Sequence, residues 1–255
     1  EILQRSQADL VVNTVGPFVF SPSTTGVPRC FTIAEECAKN KIHYVDLADE
    51  REYLNRFVEY MDPVAKENNV CLITGASTTP GITMQAIELL AQGTNEKCYQ
   101  APALESITSV EWALSPGNKI GKYGSGSATV ESILRTLGKP ISGPNSNHQS
   151  SHTNSEKTTV WSDLKRYPFK WLTSSRYVAR VDQVDIDLVN QQFPQADSKS
   201  VPVRCYAGIE LFSITWALHV LASLISWFPF LRGISIAIGK KLTPLTRVLG
   251  SDTGA

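Results

Sequence analysis

The chain has no Cys-x-x-Cys pair, and its five cysteines, Cys30, Cys37, Cys71, Cys98 and Cys205, are odd in number and widely spaced. That excludes a disulfide framework and a zinc ribbon, and leaves reduced, buried thiols in a reducing, cytoplasmic compartment as the expectation. Neither sign of charge dominates: 24 basic residues stand against 24 acidic ones, so no nucleic-acid partner is indicated. No secretory signal opens the chain. Gly-x-Ser-x-Gly is absent, which disfavours a serine hydrolase. No Gly-x-Gly-x-x-Gly follows a strand either; Gly121, Gly124 and Gly126 come after a half-exposed pattern in the wrong part of the chain. His148 and His152 sit four apart, but in a Ser/Asn-rich stretch with only Glu156 nearby, so no metal site is expected.

What is present is a 255-residue chain with 42% hydrophobic residues, enough for two modest packed domains. Asp9 to Val15 is a short β-branched run ending at Gly16-Pro17-Phe18. It predicts a buried strand and a sharp turn. Residues 28–40 predict a helix with Ile33 and Cys37 on its inner face. His43 to Leu47 predicts a second strand. Residues 52–68 predict a helix striped by Tyr53, Phe57, Tyr60, Met61 and Val64, broken or restarted at Pro63. Val70 to Thr74 predicts a third strand, and residues 82–91 another helix. Strand and helix in alternation imply right-handed crossovers and a parallel sheet. Three strands are too few for a doubly wound sheet. The chain also opens at Glu1 rather than Met and stops at Ala255 without a closing element, so it reads as an internal fragment.

From Glu105 to Leu114 the apolar period becomes two, predicting a half-exposed strand in an antiparallel or mixed sheet. A helix over 127–137 is stopped by Gly138 and Pro140. Residues 142–155 read as a loop, with short strands near 157–161, 177–184 and 200–206. The expected organisation is therefore α/β: 1–76 as the C-terminal half of a Rossmann-type domain, 77–205 as an α+β substrate or dimerisation domain, and 206–255 as a hydrophobic helical segment.

Ligands of open α/β sheets bind beyond the carboxyl ends of the strands. Three such ends carry unusual turns: Asn13-Thr14-Val15-Gly16-Pro17-Phe18, Asp46 to Glu50, and the glycine-bounded loop from Gly75 through Pro80 to Gly81. Each has a plainer use. Gly16-Pro17 makes a turn, Asp49 with Glu52 would cap a helix, and Pro80-Gly81 would start one. For proton transfer the candidates are Asp46, Asp49, Tyr53 and His43, with His43 read as structural; no single catalytic residue is singled out.

The segments Asp9 to Phe18, Tyr44 to Glu50 and Gly75 to Gly81 resemble the saccharopine dehydrogenase-like oxidoreductases. Gly124 to Ile133, Ala207 to Leu211 and Leu249 to Gly254 resemble further parts of that family's broader branch. The resemblance implies an NAD or NADP cofactor, with the phosphate-binding glycine loop upstream and the nicotinamide near Val15 to Phe18. Cofactor contacts would then fall at Asn13, Thr14, Val15, Gly16, Pro17, Phe18, Asp46, Gly75, Pro80 and Gly81. It also implies hydride transfer to a small-molecule substrate bearing a C–N or C–O bond.

Leu211 to Phe228 carries no formal charge, and Thr215, His219, Ser223 and Ser226 form one polar stripe on it. Eighteen helical residues span about 27 Å at ~1.5 Å each, short of a hydrocarbon core of ~30 Å. Three uses are open: burial in a packing or homodimer contact, peripheral contact with a membrane through residues 211–247, or, least favoured, a true span. The second use fits a non-catalytic, scaffolding relative.

Overall fold

Strands joined by helical crossovers lie parallel, and the first three strands do so. A computed structural model describes residues 7–23, 26–96, 99–104, 106–115, 127–141, 158–169, 175–194, 200–209 and 212–242. The chain forms two compact units, Glu1–Ile107 with Gln183–Gln192, and Thr108–Asp182 with Phe193–Ala255.

In the first unit, β1 (Leu10–Asn13), β2 (His43–Asp46) and β3 (Leu72–Ile73) form a parallel sheet in the order β1-β2-β3. The register pairs Asn13 with Asp46 and Tyr44 with Leu72. The crossovers are α1 (Thr32–Lys39), entered through a single turn at Arg29–Phe31, and α2 (Arg51–Asn68). α1 buries Ala34, Cys37 and Ala38, whereas Ile33, expected inside, is exposed. The inward arc is set by the smaller Ala34 and Ala38, which let the helix approach the sheet. Glu50, not Asp49, caps α2: its carboxylate accepts the Tyr53 amide at 2.7 Å. Asn69 ends the helix in the left-handed conformation, φ +54°, where asparagine is tolerated. Pro63 does not break α2, which runs unbroken through it. Phe57 and Met61, six and two residues before the proline, are buried, and Val64 packs on the same core just after it. This packing on both sides outweighs the one lost hydrogen bond.

The core of this unit is aromatic. Phe31 meets Tyr53 at 5.1 Å and Phe57 at 5.3 Å, both edge to face. Leu10, Val12 and Ile73, on the sheet's other face, are exposed. After β3 an irregular turn at Thr78–Ile82 leads into α3 (Thr83–Gln92), then a small antiparallel hairpin of β4 (Thr94–Glu96) and β5 (Tyr99–Ala101). The unit is completed from far along the chain by α5 (Asp185–Gln192). There Asp187 is clasped by Arg51 through two short contacts, 2.5 and 2.7 Å.

The second unit is built on a mixed sheet, ordered β6-β9-β8-β7: β6 (Val110–Leu114), β7 (Lys165–Tyr167), β8 (Arg176–Val181) and β9 (Val203–Ala207). β6 runs parallel to β9, and the remaining pairs are antiparallel. Near 157–161 there is only an isolated bridge, Pro140 to Thr159. The helices are α4 (Ser127–Thr136), α6 (Phe212–Trp227) and α7 (Leu231–Leu242). The expected loop at 142–155, with His148 and His152, lies outside the described residues. Among the described residues, no helix is long and apolar enough to cross a membrane, and no group of His, Cys, Asp or Glu side chains could hold a metal ion.

Candidate functional site

Side chains two apart on a strand share a face. Tyr44 and Asp46 therefore both point from β2 into the core, and both are buried. Asp46, at the carboxyl end of the middle strand, has no exposed surface and accepts five hydrogen bonds. One carboxylate oxygen takes the Tyr44 hydroxyl at 3.0 Å and the Tyr53 hydroxyl at 3.3 Å. The other takes the Thr74 hydroxyl at 2.7 Å and the amides of Ala48 and Gly75, each at 3.1 Å. The network reaches β1 because Asn13 donates its side-chain amide to the Tyr44 hydroxyl at 2.9 Å. One buried carboxyl group thus ties together the ends of all three parallel strands. Such charge-assisted bonds in a dry interior are strong, and each is costly to leave unmade.

Burial first, and then the neighbouring Asp46, raises the Tyr53 hydroxyl far above its ordinary pKa. Burial does the same at Tyr44, against the Asn13 hydrogen bond. Both phenols stay protonated and serve as donors. Tyr53 and Asp46, candidates for proton transfer on sequence grounds, are spent holding the fold. His43 lies at the opposite end of β2, its Nδ1 accepting the Cys71 amide at 2.9 Å. Asp49 is exposed.

The three loops differ in what they present. Asn13 turns its side-chain oxygen back to the Val15 amide at 3.1 Å, which leaves Thr14, Val15 and Pro17 exposed, Val15 at 76%. Gly16 is half-buried, and Phe18 packs inward on Tyr53 at 5.7 Å. The Gly16–Pro17 and Thr79–Pro80 bonds are cis. The third loop closes on itself. Gly75 has φ +81°, and a Cβ there would sit 3.0 Å from Leu54 and 3.1 Å from Pro80. A Cβ on Gly81 would lie 3.2 Å from the Gly75 carbonyl. Pro80 and Thr79 are buried, while Ala76, Thr78 and Ile82 face outward. The Ala76 amide donates to the Asp46 carbonyl at 2.9 Å. Of the ten residues expected to touch a cofactor, Thr14, Val15 and Pro17 are thus outward-facing, Gly16, Phe18 and Gly81 are half-buried, and Asn13, Asp46, Gly75 and Pro80 are inside, shaping the loops.

Sequence reasoning missed Thr74 as a partner of Asp46. It also missed a second buried carboxyl group, Asp185 at the start of α5. One Asp185 oxygen meets the Thr83 hydroxyl and the other has no partner. Thr83 also contacts the Pro80 carbonyl at 3.1 Å. A hydroxyl has one proton, and a carbonyl only accepts. The single Thr83 proton serves either the Asp185 oxygen or the Pro80 carbonyl. Burial raises the Asp185 pKa, against the Thr83 hydrogen bond. The Tyr-x-Asp spacing could have disclosed the Asp46 network; nothing local could have brought Asp185 to Thr83, 102 residues away. Compared with known proteins, the chain matches no family model and no curated protein.

Proposed function

We propose that the first unit is the C-terminal half of a Rossmann-type dinucleotide-binding domain. The chain would then be part of an NAD- or NADP-dependent oxidoreductase of saccharopine dehydrogenase-like type. The observation that carries this reading is the Asp46 network, which holds three parallel strand ends in one fixed array. Three strands advancing steadily in one direction also match either half of a doubly wound sheet. The exposed face of Leu10, Val12 and Ile73 is the face that such a sheet covers with its other layer of helices.

The exposed side chains at the end of β1 suit the ring half of the cofactor. Thr14, Val15 and Pro17 are small or aliphatic and uncharged, a bed for a flat amide-bearing ring. The tight turns at Gly75 and Gly81 keep the third loop's bulk away from that bed. When bound, a nicotinamide supplies the hydride, delivered to or taken from a carbon bearing nitrogen or oxygen. The protein's part is to fix the loops, exclude water and hold protons. Tyr44 and Tyr53 keep theirs on the phenol oxygens.

Full protein is titrated with NADH and with NADPH, following nicotinamide fluorescence. The expected result is saturable binding of one of them below millimolar concentration. Gly16→Leu should weaken that binding by about tenfold or more, since filling a close approach in a packed site costs roughly 1–3 kcal/mol, and should leave the melting temperature nearly unchanged. Absence of binding by either nucleotide would remove the oxidoreductase reading and favour a non-catalytic relative.

A further inference from the structure

A helix that packs on a protein normally turns its polar side chains to water and its apolar ones inward. α6 departs from this on both faces. On its polar stripe Thr215 is fully buried, donating to the Ile209 carbonyl at 3.0 Å and accepting the Ile209 amide at 2.9 Å, while Ser223 and Ser226 are exposed. His219 lies at 2.7 Å from the Trp161 carbonyl through Nδ1, so that nitrogen carries the proton. Ala222 and Ile225 complete the inner face. The outer face shows Trp216, Leu224 and Trp227, and continues across the turn as Phe228 and Phe230 to Ile234 and Ile238 on α7. Trp227 is 81% exposed and Phe230 68%, far beyond the scattered single apolar residues of an ordinary surface.

The geometry points to the surface of an anionic lipid membrane as the occupant of this outer face, on which α6 and α7 lie side-on without crossing. Two observations select lipid. First, the charge is of one sign. Between Glu210 and Asp252 there is no acidic residue, while Arg232, Lys240, Lys241 and Arg247 are basic; Arg232 turns inward to the Leu137 carbonyl at 3.1 Å, and Lys241 is exposed. In a chain whose charges otherwise balance, this complements phosphate headgroups. Second, three serine hydroxyls on these helices are satisfied within them. Ser223 donates to the His219 carbonyl at 3.1 Å, Ser226 to the Ser223 carbonyl at 2.7 Å and Ser235 to the Leu231 carbonyl at 2.8 Å. A water-facing or protein-recognising surface uses such groups outward; an apolar medium requires them turned back. Tryptophan and phenylalanine beside lysine and arginine are the residues of the interfacial zone, where a ring rests at headgroup depth. At ~1.5 Å per residue α6 is about 24 Å long, short of a ~30 Å hydrocarbon core, so it lies on the membrane.

The test is co-sedimentation of full-length protein with vesicles of phosphatidylcholine alone, and of phosphatidylcholine with phosphatidylserine at roughly three to one. The inference predicts pelleting with the mixed vesicles, about tenfold weaker binding to the neutral ones, and release as salt rises. Trp227→Ser with Phe230→Ser, both at exposed positions, should cut binding by about tenfold or more with an unchanged melting temperature. Lys240→Gln with Lys241→Gln should cost roughly fivefold for each charge removed. Failure to pellet with either vesicle overturns the inference, as does equal, salt-independent binding to both. A dimer in light scattering that dissociates in the Trp227/Phe230 variant would give the face to a second copy and overturn it too. None of these outcomes depends on nicotinamide binding.

Discussion

At Asp185 the chain buries a carboxyl group with one oxygen unpartnered and gives the other to Thr83. An ionised carboxylate there would lack the donors that Asp46 has in full. Among its neighbours, Asp187 on the same helix is already neutralised by Arg51. The physical consequence is a pH dependence. Burial raises the Asp185 pKa in the folded protein above its ordinary value, so the folded state holds this proton more tightly than the unfolded chain. That stability is fully present below the unfolded pKa and is lost as pH rises through the folded one. Asp185→Asn keeps the neutral shape at every pH. In thermal melts it should match the parent near about pH 4 and exceed it near about pH 8, with the gap widening between. A gap of constant size would mean that Asp185 is ionised in the fold. Asp46 shows how different such a group can be. Its position at the end of a strand was legible from Tyr44-Val45-Asp46 and the following turn. Its five donors were not, because Thr74 and Gly75 come from the next strand and Tyr53 from the helix between.

Elements were read best where a local signal set them. Gly138, marked in sequence as the stop of α4, has φ +67°, and a Cβ on it would lie 2.6 Å from the Ala222 carbonyl of α6. One glycine therefore ends one helix and seats another. Gly138→Ala should cost about 2–4 kcal/mol, summing left-handed strain and overpacking against backbone, seen as a lower midpoint in urea at unchanged slope. A loss under about 0.5 kcal/mol, the scale of an ordinary surface substitution, would show that the close approach is not made. Pro63 misled for the converse reason: its rule is local, and the packing that overrides it is tertiary. β7 and α5 escaped notice altogether. Lys165-Arg166-Tyr167 has no apolar alternation, and the eight residues of α5 bury only Asp185, Ile186 and Val189. The polar stripe of α6 was visible in sequence, but not that Thr215 would be buried while Ser223 and Ser226 stay exposed; periodicity gives a direction around a helix and never says which side holds the protein.

On the scale of the whole chain, alternating strands and helices disclosed the parallel sheet, and the change of period after residue 104 disclosed a second sheet. The return of Gln183–Gln192 to the first unit was invisible, since the Arg51–Asp187 clasp joins residues 136 apart and long-range pairs leave no local trace. The central idea is that one buried carboxyl group sets three strand ends as a single bed for a nicotinamide ring. Backbone amide shifts of isotopically labelled full-length protein, followed as NADH or NADPH is added, test this most directly. The account predicts that the amides of Val15, Gly16, Phe18, Leu47, Ala76 and Ser77 move together with one shared dissociation constant. Shifts confined to other parts of the chain, or none at millimolar nucleotide, would contradict it.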